Sequence, residues 1–328
     1  MGKYPASPKK DVRRHVAEET GSSPVAAKVS PTVRRRRLGT ELRRLRKESN
    51  VSVDDVAEAF GVTASTIYRM ELGRVGVKTR DIDLFVNVYG ITDDKLAGEL
   101  KQLAKQGSKR GWWAKYSESI LPPYATYIGL EADATRLSVY DGLIINGLLQ
   151  TREYAEATFD FASERNKKYM DSRIKLRMER QLRVTEKRDL QVWNVIDEGA
   201  IRRVVGGKTV MKAQLNHLLE LAQLPNVTIQ VLPFEGGAYP GMLSSFVLME
   251  YGEADAEGKG ADGQTDGSED PDPSYRHPDV VYIEGHTGDV YEEEYVESFR
   301  DVFENLRIAA LSPTSSLETI TQMRDKLG

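Results

Sequence analysis

The stretch SVDDVAEAFGVTASTIYRMELG, residues 52–73, leaves few backbone solutions open. Val56, Ala57, Phe60, Val62, Ile67 and Met70 recur at helical spacing on either side of Gly61. Ser52 and Thr63 stand where N-caps belong, and Gly61 takes a positive φ without steric cost. Two short helices joined by a tight turn satisfy all of these demands. Ala57 is small where the helices must cross, and Ile67 with Met70 anchors the second helix from behind. Thr63, Ala64, Ser65, Thr66, Tyr68 and Arg69 are then left facing outward near its N-terminus.

An outward polar face belongs to any amphipathic helix, so this pattern alone does not separate a solvated surface from a groove-reading helix. The residue types supply chemistry. Hydroxyls and backbone N–H groups at a positive helix end suit phosphates, and Arg69 can bridge guanine O6 and N7. Ala64 suits a thymine methyl. RRRR at 34–37 runs into an amphipathic pattern of Leu38, Leu42 and Leu45, and Arg34, Arg35, Arg36 and Arg37 are expected to form a phosphate-contacting arm. Residues 1–110 hold 23 Lys+Arg against 14 Asp+Glu, although the whole chain is at −4. That asymmetry favours a polyanion partner for the N-terminal part alone.

At 328 residues there is room for two cores. The absence of cysteine excludes disulfides and thiolate zinc sites. No apolar run approaches membrane-spanning length, and no cofactor is called for. Residues 1–30 are expected to be a disordered tail, and 31–106 a five-helix unit with helices near 38–49, 52, 63, 79–89 and 92–106, Thr92 capping the last. A linker is expected over 107–129. From 130 to 328 strands are expected at 136–140, 190–196, 227–233, 244–251 and 280–285, with helices over 150–163, 167–185, 208–223 and 295–325. Grouped helices between strands indicate an α+β domain rather than a strict βαβ repeat. Residues 253–273 carry eight acidic residues against one lysine with Gly and Pro throughout, which describes a flexible acidic loop.

An enzyme is not expected. His15, His217, His277 and His286 fall in no metal-binding spacing, GGK at 206–208 lacks the rest of a phosphate loop, and no nucleophile, base and orienter assemble. GLLQTREYA at 147–155 reads either as a packed helix start or as a rim of Gln150, Arg152 and Tyr154 around a ligand or partner pocket. Asp197, Glu198, Arg202 and Arg203 form a charged cluster after a strand, as either a binding site or a surface ion-pair network.

Over about Leu38 to Leu103, ELRRLRKESNVSVDDVAEAFGVTASTIYRMELG resembles the Xre, phage-repressor-like, helix-turn-helix family. The resemblance implies an all-α five-helix DNA-binding domain followed here by the α+β domain. It implies a structural ion pair between Arg46 and Glu71, base reading by Ala64, Ser65 and Arg69, and phosphate contacts by Thr66 and Arg74, beside Thr63 and Tyr68. Val53 stands where the family usually has a polar, phosphate-touching residue. GLLQTREYA, DEGAIRRVVGG (197–207), NVTIQVLP (226–233) and VVYIE (280–284) further resemble the WhiJ-like regulators of sporulating actinomycetes, although Asn146 replaces their usual Pro. That resemblance implies a transcription regulator of development or secondary metabolism, and the expected regulator is a repressor, cytoplasmic by default and nucleoid-associated. Its expected partners are double-stranded DNA, a second copy of the chain and a small acidic protein encoded nearby. The alternative is the antitoxin-like or sequestering half of a protein pair, with DNA binding serving autoregulation.

Overall fold

The computed structural model describes residues 31–328 apart from 121, 162–166, 240, 242, 253–277, 286–289 and 293. The expected tail at 1–30 and acidic loop at 253–273 lie outside the described residues, as do His15, His277 and His286.

Five helices open the described chain: α1 Pro31–Glu48, α2 Val53–Phe60, α3 Ala64–Glu71, α4 Ile82–Tyr89 and α5 Asp94–Gly107. Ser52 starts α2 with a reciprocal capping box, its Oγ accepting from the Asp55 N–H at 3.1 Å while Asp55 Oδ2 accepts from the Ser52 N–H at 3.0 Å. Gly61 ends α2 at φ 63°, the left-handed turn expected of it. Leu38, Leu42, Val56, Ala57, Ile67, Ile82, Phe85 and Leu100 close a core around this turn. Val62 is exposed rather than packed. The cap of α5 is Asp93, not Thr92; its Oδ1 accepts from the Lys95 N–H at 2.8 Å.

The stretch expected to be a linker is folded. A 3-10 turn at Trp112–Tyr116 and helix α6, Pro122–Glu131, place Trp113, Tyr127 and Ile128 in the core of the second unit. α1 also starts seven residues earlier than expected, and its first turn joins the same core through Val33. The two helices touch at Gly129, where a Cβ would stand 2.1 Å from Thr32 Oγ1.

Beyond them come β1 Arg136–Asp141, α7 Arg152–Phe161, α8 Lys167–Thr185, β2 Gln191–Asp197, α9 Glu198–Arg202, α10 Lys208–Leu221 and β3 Val227–Leu232. The chain continues through β4 Phe246–Glu250, β5 Val280–Ile283, β6 Val290–Glu292, α11 Val296–Ala309 and α12 Pro313–Asp325. The strands form one sheet in the order β3-β2-β1-β4-β5-β6. β1, β2 and β3 are parallel and joined by helices, while β4, β5 and β6 extend the sheet antiparallel. The unit is α+β with a mixed sheet whose first half is wound as βαβ. The single helix expected over 295–325 is two, because Ser312 caps a new helix with Pro313 in its first turn.

Side chains alternate between the sheet's faces. Leu137, Val139, Val192, Ile229 and Met249 join one core with α6, α10 and α12, while Tyr140, Val195, Leu232 and Phe246 meet Phe303 and Leu306 of α11. At the outer edge of β3 the Val231 N–H donates to Ser316 Oγ at 2.9 Å, and Val231 O accepts from the Leu311 N–H at 2.9 Å. At the β6 edge, Tyr291 lies beneath the Arg36 guanidinium of α1.

Candidate nucleic-acid interface

Sequence places two glycines where α1 and the end of α3 must touch. A Cβ on Gly39 would stand 2.4 Å from the Glu71 carbonyl oxygen, and one on Gly73 2.6 Å from Arg36 Cα. Gly73 is also at φ 63°, so the closing turn needs glycine twice over. Across this contact Arg46 donates through Nε to Glu71 Oε1 at 2.6 Å and through Nη2 to Oε2 at 3.1 Å. A third donor reaches Val51 O at 3.2 Å. Glu71 and Arg46 are both buried, and the Glu71 hydrogen bond holds the guanidinium above its usual range. The C-terminal end of α3 is therefore fixed.

Its N-terminal half faces outward. Ser65, Tyr68 and Arg69 are exposed, while Ala64 and Thr66 are half-buried. Arg69 lies along its own helix, donating from Nη2 to Thr66 Oγ1 at 3.1 Å. Thr63 occupies the N-cap position without capping; its hydroxyl meets that of Thr66 at 3.1 Å. The first N–H groups of α3 thus lack a side-chain acceptor from Thr63, and Arg74 is exposed just past the helix. Exposed hydroxyls, a retractable guanidinium and an uncapped helix start form a surface able to take phosphate oxygens and reach base edges.

The four-arginine run is not an arm. Arg34, Arg35, Arg36 and Arg37 lie inside α1 on successive faces of a packed helix, and Arg36 is buried. Arg35 runs its stem against Gly107 of α5, and burial lowers its guanidinium from the ordinary value. Val33 and Arg36 share a face of α1 roughly opposite that of Leu38, Leu42 and Leu45, and the second unit covers it, so the start of the helix is packed on two sides. Val53 is buried in the first core and offers nothing to a phosphate.

The second-domain residues do not assemble as a pocket. Gln150 and Tyr154 are buried, the Gln150 amide donating to Ile145 O at 2.6 Å and accepting from Arg177. Gln181 and Gln214 donate to the carbonyls of Gly147, Leu149 and Gln150, so GLLQT is a clamped stretch of backbone. Arg152 is exposed, 3.7 Å from Glu156. Asp197 caps α9 through the Gly199 N–H at 2.7 Å and accepts from the Tyr239 hydroxyl. Glu198 accepts from Arg202 and from the Phe234 N–H at 2.8 Å, and Arg203 stays exposed. His217 sits on α10 with its ring 3.9 Å from Glu220, its imidazole lowered by burial.

Sequence reasoning passed over Asp141. It ends β1 fully enclosed, and burial pushes its carboxyl up to about 7 despite hydrogen bonds from the Asn146 N–H at 2.6 Å and the Asn194 amide at 3.1 Å. The signal was an acid closing the expected strand RLSVY. Proline at 146 would lack the N–H that meets this carboxylate.

Residues 37–100 match a family model described as a helix-turn-helix domain. Residues 124–322 match a second, described as a domain of unknown function (DUF5753), which spans more than half the chain. The chain belongs to this family. The DUF5753 match begins within α6, inside the stretch expected to be a linker, in keeping with its packing on the second core. A helix-turn-helix DNA-binding domain thus precedes the DUF5753 domain. No curated protein and no solved structure matches the chain. No helix among the described residues is long and apolar enough to cross a membrane.

Proposed function

We propose that the protein is a sequence-specific transcription repressor of the Xre, WhiJ-like type, acting in the cytoplasm as a homodimer rather than as an enzyme. One short helix contacts only a few base pairs, so paired half-sites about 34 Å apart are the usual solution. Ala64, Ser65 and Arg69 read bases, and Thr63, Thr66, Tyr68 and Arg74 take phosphates. The DUF5753 domain dimerises the chain or senses a ligand. The observation carrying this reading is α3 itself, fixed at its C-terminal end by the buried Arg46–Glu71 pair and exposed along its N-terminal half.

Selection from a random-sequence duplex library tests it. The wild-type chain should enrich a two-fold symmetric site. Arg69→Ala should then cost about 1–3 kcal/mol on that site and little on unrelated DNA. Equal losses on both duplexes would remove Arg69 as a base reader.

A second reading, a protein-interaction half of a pair with a small acidic protein, draws on a different observation. Leu143, Ile144, Val204, Phe234 and Leu243 are exposed on loops at the end of the sheet where β1, β2 and β3 finish and β4 begins, with Arg203 and Lys208 nearby in the chain. Apolar side chains beside cations suit an acidic partner with an apolar face. Co-purification of such a protein, lost on Leu143→Asp, would favour it.

A further inference from the structure

α1 is one uninterrupted helix that belongs to two cores. Val33 packs with Trp113 and Tyr127 of the second unit, whereas Leu38, Leu42 and Leu45 pack with Ile67 and Phe85 of the first. Arg36 lies between these groups, one turn beyond Val33. It is buried, and it touches both units. Its Cα and Cγ would lie 2.6 and 2.8 Å from a Cβ on Gly73, which seats the turn closing α3 directly against it. Its guanidinium carbon lies 5.6 Å from the centre of the Tyr291 ring on β6. Tyr291 in turn packs on Tyr282 of β5 at 5.3 Å, and Tyr282 on Tyr127 of α6 at 4.4 Å between ring centres. A continuous line of contacts runs from the second core to the end of the recognition helix. An exposed ion pair, Arg43 with Glu294 at 4.0 Å, lies nearby and adds little.

We propose that Arg36 is a positioning residue through which edge strand β6 sets the pose of α3. The turn at Gly73 has no side chain with which to yield, so a change in where Tyr291 holds Arg36 is passed to the Glu71–Gly73 segment. From there it passes to the outward face that begins at Thr63. Packed contacts of this kind shift between discrete arrangements rather than stretching continuously. The claim about pose stands on these contacts; its bearing on DNA rests on the proposed function above.

The test uses the full chain in three forms: wild type, Tyr291→Leu and Tyr291→Phe. Amide hydrogen exchange is followed without DNA in peptides covering residues 64–76. Tyr291→Leu should raise exchange there by about 3- to 10-fold while β1–β3 stay protected, and Tyr291→Phe, which keeps the ring, should restore the wild-type rate. On the duplex most enriched by the wild-type chain, Tyr291→Leu should lose affinity by about the same factor with an unchanged salt slope, because no phosphate contact is removed. Unchanged exchange over 64–76 in Tyr291→Leu, with a response confined to the strand carrying residue 291, overturns the proposal. If Tyr291→Leu loosens β1–β3 as well, Arg36→Lys decides. It keeps the stem against Gly73 and loses planar stacking, so faster exchange confined to 64–76 supports the role and wild-type exchange refutes it. Failure of any duplex to enrich would sink the DNA reading and leave the exchange result standing.

Discussion

Each half of the molecule holds a buried arginine–glutamate pair, and the two pairs do different work. Arg46 and Glu71, with side chains 10% and 1% exposed, join α1 to the end of α3. Arg180 and Glu131, at 3% and 4%, join α8 to α6. Arg180 lies 5.6 and 5.1 Å from the ring centres of Tyr124 and Tyr127 and donates to the Tyr124 hydroxyl, so its surroundings are aromatic and closed. Arg46 spends its third donor on Val51 O, in the loop before α2. A buried ion pair is weak evidence for stability, since desolvation offsets much of the attraction, but it is strict about geometry. In the first half that strictness fixes one end of a helix whose other end is presented to solvent. In the second it fixes two helices to each other beneath the sheet.

The largest effect expected comes from breaking the more enclosed pair. Arg180→Ala leaves Glu131 buried without its partner and should cost about 3–5 kcal/mol in urea denaturation, with Arg46→Ala about 3 kcal/mol. All three tryptophans, Trp112, Trp113 and Trp193, lie outside the five-helix unit. Because α1 belongs to both cores, Arg46→Ala should shift the tryptophan-emission transition together with the helical circular dichroism. A shift in the dichroism alone would show that the halves unfold independently.

Asp141 sharpens the contrast, since the second half also buries an acid with no cation on it among its described hydrogen bonds. Its folded value of about 7 lies above the ordinary carboxyl value, so the folded state holds the proton more tightly. The associated stability is complete below about pH 4 and is lost as pH rises through 7. Asp141→Asn should therefore stabilise the chain by roughly 3–4 kcal/mol at pH 8 and change little near pH 4. A wild-type stability curve that does not fall between those values would contradict this environment. The smallest effect belongs to the first half, where Ser52→Ala should lower stability by about 1 kcal/mol through loss of the cap on α2. No change in thermal midpoint would mean that the α2–turn–α3 packing holds the helix start without it.

Local patterns made α2, α3 and strands β1–β5 legible, because period, caps and turn glycines all agreed there. The outward face of α3 was legible for the same reason. Three features hid the rest. Pro122-Pro123 lie within the stretch expected to be a linker, yet proline is well placed at a helix start, and α6 begins there. The arginine run concealed that Val33 and Arg36 form a second buried face of α1, opposite Leu38, Leu42 and Leu45 and closed by the second unit. β6 spans only Val290–Glu292, too short to show a period. Spacing could not choose between the two readings of GLLQTREYA, a packed helix start or a pocket rim. Gln150 and Tyr154 are buried, the Gln150 amide donating to Ile145 O and the Tyr154 hydroxyl accepting from the Ile145 N–H. Such long-range partnerships, Gln214 with Leu149 or Arg177 with Gln150, leave no mark in sequence spacing.

The sheet's two outer strands have a consequence for how this chain meets others of its kind. An open strand edge invites a neighbour to add a strand, and repeated addition leads to fibres. Here Ser316 and Leu311 occupy the edge groups of Val231, while α1 places Arg36 over Tyr291 at the opposite margin. At Val231, strand addition to β3 must therefore await the detachment of the segment that holds Leu311 and Ser316. Warming this protein should bring on turbidity as α12 peels away from β3, which makes that helix a guard of the β3 edge against aggregation.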